Sequence, residues 1–312
     1  MSNTKPQTDI SVIVAVYNEE DCLVPLYKEL VANLDKLGRS YEIIFIDDGS
    51  TDNTAIRLSE LSPATVITFR KNYGKSQALQ AGFDAAQGEL VFTLDGDLQD
   101  DPKEMPRFVE KMGEGLDLVC GWKRVRHDPF NKRFFSKIAN GITRAVAGTS
   151  IHDMNCCYKL YRAEVVKSLR LYGDMHRYIP ALVADMGFRI DELPVQHRPR
   201  YAGKSKYGVT RLLQGLFDFL TFTFLRKFTD RPMHLFGLLG LLLGLSGLVI
   251  LVDLAWVKLV LGENIGDRPL LLLGILLAVI GFQSFSLGFI GELLIRRNDD
   301  RRHYVIKKKI EQ

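Results

Sequence analysis

The sequence is short of cysteine, of signal-like segments and, in two places, of charge. Its four cysteines, Cys22, Cys120, Cys156 and Cys157, have neither a zinc-ligand spacing nor the density of a disulfide framework. That excludes a small stapled secreted domain and leaves them as packing residues in a reducing compartment. The polar start from Met1 to Asp9 carries no apolar core of a secretory signal. No internal repeat or low-complexity tract stands out, which excludes a solenoid or a flexible array. Charge of either sign is missing from His234 to Val252 and from Pro269 to Gly291. A strong basic excess is missing too. The 41 Lys and Arg stand against 37 Asp and Glu, and a pI near 8.7 suits a protein beside anionic lipid rather than a nucleic-acid binder.

Each uncharged stretch runs to about 20 residues, enough for a helix to cross the hydrocarbon core of a bilayer. Leu238 to Leu245 and Leu270 to Leu277 would be apolar on every face, which helices of globular proteins seldom are. Arg226, Lys227 and Arg231 precede the first stretch, and Arg296, Arg297, Arg301, Arg302, Lys307, Lys308 and Lys309 follow the second. The connection, with Glu263, Asp267 and Arg268, has no such excess. The positive-inside rule therefore predicts a multi-pass hairpin with both chain ends and the preceding domain in the cytoplasm. Asp253 and Lys258 then mark the far interface. From Val209 to Lys227, residues such as Leu212, Leu216, Phe219 and Phe222 lie between basic ends and read as interfacial helices resting on the bilayer. The expected division is a cytoplasmic domain over 1–208, juxtamembrane helices over 209–231, two membrane helices over 232–295 and a basic tail over 296–312. Gly237, Gly240, Gly244 and Gly247 give the first span a small-residue face that permits close packing, including in a homo-oligomer.

What precedes the spans alternates short apolar runs with amphipathic ones. Strands are expected at Ile10 to Val16, Tyr41 to Ile46, Val66 to Phe69, Leu90 to Asp95 and Leu116 to Cys120. Helices are expected at Glu20 to Leu37, closed by Gly38; at Asp52 to Leu61, capped by Ser50 or Thr51; at Lys75 to Ala86, ended by Gly88; and from Pro102. This alternation predicts an α/β fold with a mainly parallel, doubly wound sheet of Rossmann type. Ligands of such sheets bind at the carboxyl ends of the strands.

Three expected strand ends carry polar residues of one chemical type. The first is followed by Tyr17-Asn18-Glu19-Glu20, the second by Asp47-Asp48-Gly49-Ser50-Thr51-Asp52, and the fourth ends in Asp95-Gly96-Asp97. Acids at the second end can accept hydrogen bonds from a base N–H or a ribose hydroxyl, and Tyr17 can stack on the base. Asp-Gly-Asp is also an ordinary turn, and Asp47-Asp48-Gly49 an ordinary turn before a helix. Convergence of three such ends favours a nucleotide site. Two hard oxygen ligands open to water suit Mg²⁺ or Mn²⁺ shared with a diphosphate better than an all-protein calcium cage.

Taken together, Val14 to Glu19, Asp47 to Asp52, Arg70-Lys71-Asn72-Tyr73-Gly74-Lys75, Leu94 to Pro102, Asp153-Met154-Asn155-Cys156 and His197 to Tyr207 resemble family 2 glycosyltransferases. The resemblance is to the branch that makes polyprenyl-phosphate sugars, including dolichol-phosphate mannose synthases, and it covers nearly the whole chain with its two C-terminal spans. Ala15 stands where that pattern often has proline, and Cys156-Cys157-Tyr158 where an aromatic often follows the later Asp motif. The resemblance implies a GT-A nucleotide-sugar fold. It implies that Tyr17, Glu19, Asp47 and Asp48 hold the nucleoside, with Asn72, Lys75, Asp95 and Gly96 at the donor. It also implies that Asp97 is the metal ligand, with Gln99 a candidate further one, and that Asp95, Asp97 and Asp153 are catalytic.

The expected reaction is transfer of one hexose from a UDP- or GDP-sugar to polyprenyl phosphate, with inversion and with a divalent metal. A phosphate monoester has its second pKa near 6, so at pH 7 its oxygen is already a nucleophile. What the site must supply is cations. Lys123, Arg124, Arg126, Lys132, Arg133, Arg200, Lys204 and Lys206 offer them, and the resemblance favours Lys123, Arg133, Ser136, Arg200 and Lys206 for the acceptor phosphate. Asp153 would then orient the acceptor or a cationic neighbour, and take a proton only from a lipid phosphate bound as the monoanion. Two other readings are a membrane glycosyltransferase with a different lipid acceptor, such as diacylglycerol, and an inactive adaptor that has kept the fold.

Overall fold

Val and Ile dominate Ile10–Val16, and the strand they form, β1, is buried along nearly its whole length. A strand buried on both faces belongs in the middle of a covered sheet. In the computed structural model, which describes residues 8–124, 150–199 and 231–297 with Leu220, Thr221, Thr223, Phe224 and Phe228 between them, β1 pairs in parallel with β2 (Tyr41–Asp47) and β4 (Leu90–Asp95). The short edge strand β3 (Thr65–Thr68) pairs in parallel with β2. Beyond β4 come β6 (Lys159–Arg162), β5 (Leu118–Lys123) and β7 (Ile190–Val195), giving the order β3-β2-β1-β4-β6-β5-β7. Only β6 runs against the rest. The sheet is therefore mixed and mostly parallel, as expected of a Rossmann-like GT-A fold.

The helices connecting the parallel strands are α1 (Leu23–Leu34), α2 (Thr54–Ser59), α3 (Lys75–Ala85) and α4 (Met105–Met112); α5 (Ala163–Ser168) and α6 (Ile179–Asp185) follow β6. Leu23, Leu26, Leu30 and Leu34 recur at helical spacing and are all fully buried against the core that includes Val12, Val14, Phe45 and Phe92. Burying one such side chain contributes about 1.5–3 kcal/mol. All four cysteines are free and buried. Burial pushes the thiols of Cys22 and Cys157 up to about 11 and that of Cys120 up to about 12. Inert thiols of this kind agree with a packing role.

Some expected punctuation differs. The first helix starts at Leu23, because Asn18, Glu19 and Glu20 are hydrogen-bonded to the loop after β2 and the start of α2, and ends in a short 3-10 turn before the left-handed Gly38. Ser50 and Thr51 do not cap α2; its first turn is held by Asp52, whose Oδ1 accepts from the Thr54 N–H at 2.9 Å. Gly88 is not a helix cap either. It lies two residues beyond the extended Ala86, where its N–H donates to Ser11 Oγ at 2.8 Å. The strands β6 and β7 and the helices α5 and α6 were not anticipated.

Chain contacts separate a unit ending at Asp218 from one beginning at Phe219. In the second unit, α7 (Pro232–Leu259) and α8 (Pro269–Arg297) form an antiparallel hairpin. Only 17% of the most apolar window of each helix is buried, the opposite of a core helix, so both present leucine outward along lengths that span a bilayer. The glycine face of α7 is used within the hairpin. A Cβ on Gly240 would lie 2.7 Å from the Gly281 carbonyl oxygen, and one on Gly247 would lie 2.5 Å from the Ala278 nitrogen. Close helix approach of this kind needs small residues. A second copy of the chain would have to pack elsewhere. The expected juxtamembrane helices lie largely outside the described residues, although Leu220, Thr221, Thr223, Phe224 and Phe228 are helical.

Candidate active site

Register brings the polar strand ends to one edge. Val16 of β1 lies opposite Asp47 of β2, and Ala15 lies opposite Asp95 of β4. Side-chain hydrogen bonds staple the loops that follow. Asn18, with φ 54°, accepts on Oδ1 from the Thr51 N–H at 2.8 Å, and its own N–H donates to Ser50 Oγ at 3.0 Å. The Glu19 N–H donates to Thr54 Oγ1 at 3.0 Å. Tyr17, half-buried, leads into this stapled loop.

Asp48 does more than the sequence suggested. Its buried carboxylate accepts from the backbone N–H of Tyr73 at 2.7 Å and of Gly74 at 2.9 Å, and so clamps the loop between β3 and α3. Burial raises its pKa, although those two N–H groups and the neighbouring residues act on it as well. Gly49 makes the clamp possible: its φ of 69° is left-handed, and a Cβ there would lie 2.7 Å from the Lys71 Cα. Asp47 accepts on Oδ1 from the Ser50 N–H at 2.9 Å, while its buried Oδ2 makes no hydrogen bond among the described residues. Asn72 is exposed on the clamped loop.

The loop delivers Lys75, the first residue of α3, to Asp95, and the two form a hydrogen-bonded ion pair. Burial favours the neutral carboxyl, but the Lys75 and Lys123 charges outweigh it and hold Asp95 down to about 2. Asp95 raises the Lys75 pKa against the opposite effect of burial. Gly96 sits where a Cβ would lie 2.5 Å from Val16 Cγ1, so the turn can hug β1 only without a side chain. Leu98 takes a left-handed φ of 61° with its side chain buried. Such a conformation is uncommon for a branched aliphatic residue and persists where packing enforces it.

Asp97 is buried between these two residues, and its Oδ1 accepts from the Gln99 N–H at 3.2 Å. Gln99 Nε2 lies 3.3 Å from His197 Nε2 and 3.4 Å from the Arg198 carbonyl oxygen. Oε1 is then the atom of that side chain able to meet a cation. Among the described residues no group of three or more His, Cys, Asp or Glu could enclose a metal. One or two carboxylates at an open edge fit a Mg²⁺ or Mn²⁺ that takes its remaining ligands from a diphosphate and water.

On the other half of the sheet, antiparallel β6 brings its amino end to the same edge, and with it the turn carrying Asp153, which is buried. Asp153 lies near enough to Cys120 and Cys156 to act on both thiols. Lys123, at the end of β5, is paired at 2.8 Å with Asp100, which is wholly buried. Beyond β7 the chain bridges back: His197 pairs with Asp100 in an isolated β-bridge, the Arg198 N–H donates to the Gln99 carbonyl oxygen at 3.0 Å, and the Arg198 guanidinium spans Glu29 at 2.7 Å and Asp101 at 2.6 Å. Sequence reasoning missed Asp100 and Arg198 as structural partners, because nothing in their spacing shows what they face. Arg126, Lys132, Arg133, Ser136, Arg200, Lys204 and Lys206 lie outside the described residues.

Comparison with known proteins shows the family and the fold. Residues 11–170 match the model of glycosyl transferase family 2. The chain is 36% identical over 312 residues to dodecaprenyl-phosphate galacturonate synthase of Rhizobium johnstonii, covering 96% of this chain and 92% of that one. It is 34% identical over 308 residues to undecaprenyl-phosphate 4-deoxy-4-formamido-L-arabinose transferase of Edwardsiella ictaluri, covering 97% and 93%. Among solved structures, glucosyl-3-phosphoglycerate synthase of Mycobacterium tuberculosis with Mn²⁺, uridine diphosphate and glucosyl-3-phosphoglycerate superposes with a TM-score of 0.57 at 21% identity, over 70% of this chain and 80% of that one. That likeness shows the fold. The chain belongs to glycosyl transferase family 2 and is a glycosyltransferase.

Proposed function

We propose that this glycosyltransferase moves one sugar, a hexose or hexuronic acid, from a UDP- or GDP-sugar to polyprenyl phosphate at the cytoplasmic face of a membrane, with inversion. The observation that carries this reading is the stapled edge of β1, β2 and β4, where Asp47, Asp48, the Lys75 and Asp95 pair, and Asp97 converge ahead of two bilayer-length apolar helices. Both relatives matched over nearly their whole length are named for polyprenyl phosphates, and their names differ in the sugar. The excess of basic residues before α7 and after α8 supports the cytoplasmic orientation.

In this reading Tyr17 stacks on the base, and Asp47 Oδ2 accepts from a base or ribose donor. Asp48 holds the loop that aims Lys75. Asp97, with Gln99, would hold Mg²⁺ or Mn²⁺, which supplies charge neutralisation for the leaving diphosphate. The mycobacterial synthase is seen with Mn²⁺ and uridine diphosphate together. Asp95, kept ionised by Lys75, faces the donor sugar and orients it. The lipid phosphate attacks as a dianion without a general base. Lys123 and the basic residues at 133, 200 and 206 hold that phosphate, and Asp153 orients the acceptor or a cationic neighbour, taking a proton only where the lipid phosphate binds as the monoanion.

The test is transfer from labelled UDP- and GDP-sugars to undecaprenyl phosphate, dolichyl phosphate and diacylglycerol by the purified protein. A labelled product on a polyprenyl phosphate, inhibited by EDTA, is expected. Product on diacylglycerol alone would move the acceptor, and nucleotide binding with no product on any lipid would favour an inactive subunit.

A further inference from the structure

Lys159 opens β6 opposite Thr93 of β4 and Cys120 of β5, and it is only 2% exposed. Its ammonium donates to the Cys156 carbonyl oxygen and forms no ion pair with any described carboxylate. Thr93 Oγ1 donates to the next carbonyl, that of Cys157, at 2.6 Å. Two successive carbonyls of the turn after Asp153 are thus held from the sheet, one by a full charge. Lys159 also lines a cavity of about 10 Å³ with Lys75, Asn155 and His176. Tyr161 of β6 is in the same lining and is buried.

A buried ammonium with one carbonyl for a partner is a costly way to hold a turn. An apolar residue of similar volume removes the cost of burying the charge but leaves the Cys156 carbonyl without its donor, so the two effects oppose each other and the fold is expected to keep its stability. Departures of this kind from local consistency collect at functional sites. Here the turn carries Asp153 to the strand edge, and β4 beside it carries Thr93 and Asp95, the latter paired with Lys75 of α3.

We propose that Lys159 is a positioning residue for sugar transfer, fixing the turn from Asp153 to Tyr158 through the Cys156 carbonyl. The activity part of this proposal rests on the reaction proposed above, whereas the positioning part rests on the geometry alone.

The experiment compares the full-length protein with Lys159→Met, which keeps length but removes the charge and the donor, and with Lys159→Arg, which keeps both. For the Met variant the expected results are an unchanged thermal midpoint, a kcat lower by about 10- to 100-fold, and a donor KM within about threefold. Amide exchange over residues 153–158 should speed up at least about tenfold while β1 and β4 keep their protection. The Arg variant should recover most of kcat. A Met variant with normal exchange in the turn, or with kcat within twofold of the original, overturns the proposal. So does loss of activity in step with the thermal midpoint and with exchange throughout the domain. If the original protein transfers sugar to no lipid, the reaction is wrong, and exchange in the turn still decides whether Lys159 positions it.

Discussion

The two halves of the sheet reach the same edge by different routes. In the half made of β3, β2, β1 and β4, all strands run parallel, and the carboxyl ends of β1, β2 and β4 deliver polar residues directly. In the half made of β6, β5 and β7, β6 is reversed, so Asp153 arrives on the way into β6 while Lys123 arrives on the way out of β5. The first half is fastened by local loop-to-loop hydrogen bonds, such as those of Asn18 and Asp48. The second is fastened by long-range ion pairs, Lys123 with Asp100 and Arg198 with Glu29 and Asp101. In the function proposed above, the first is the donor half, built from consecutive βα units, and the second is the acceptor half, formed where the chain returns to the same edge.

The comparison breaks most sharply at Asp95, which ends β4 and is balanced by Lys75 of α3 and by Lys123 of the other half. Asp95→Asn leaves Lys75 without its counter-charge, and we expect kcat to fall by about 10²- to 10³-fold, the scale of losing one preorganised electrostatic partner. A steady-state assay reads it, and a loss under about tenfold would mean that the pair is structural. Next comes Gly49→Ala, which meets both a left-handed φ and the Lys71 backbone. A destabilisation of about 2 kcal/mol or more is expected in urea titration, with weaker nucleotide binding. If the acceptor half is separately fastened, exchange around Lys123 should change less than exchange around Tyr73.

His176 joins the halves, since its ring Nδ1 and backbone N–H both lie 3.0 Å from Ser76 Oγ at the start of α3. Burial, reinforced by the charges of Lys75, Arg177 and Lys159, pushes its pKa down to about 2. Folded protein then binds no proton where the unfolded chain does, so stability is lost as pH falls below the unfolded value of about 6.5 and until it nears 2. The loss should approach about 1.4 kcal/mol per pH unit, measured by denaturation at pH 7 and pH 5. His176→Gln should flatten that slope. The smallest effect belongs to Arg198→Ala, a half-exposed double ion pair worth about 1 kcal/mol. It should leave nucleotide affinity unchanged and raise the KM for the lipid acceptor; an effect on the nucleotide instead would place Arg198 in the donor half.

The same division governs what could be read from the sequence. Residues Ile10 to Val16 and Leu90 to Asp95 are apolar runs ending in polar motifs, and both were legible to the residue. Strand β6 was not, because Lys159-Leu160-Tyr161-Arg162 is short, ends in charges and lies within a reversed crossover that periodicity does not reveal. Family resemblance supplied Asp153, yet no local pattern shows that β6 turns its amino end toward Asp95. Likewise Asp48 was legible as a candidate site residue but not as a clamp, since its partners, Tyr73 and Gly74, contribute backbone rather than side chains. The glycines of α7 were legible as a packing face, while their partner, α8, had to be seen.

The most direct test of a donor half that is already built is calorimetric titration of the full-length protein with UDP and with GDP, each with Mn²⁺ and with EDTA. One of the two nucleotides should bind, only with the metal, and Asp97→Ala should abolish that binding while Lys123→Ala leaves it within about threefold. Binding of neither nucleotide, or binding indifferent to EDTA and to Asp97→Ala, would contradict the account.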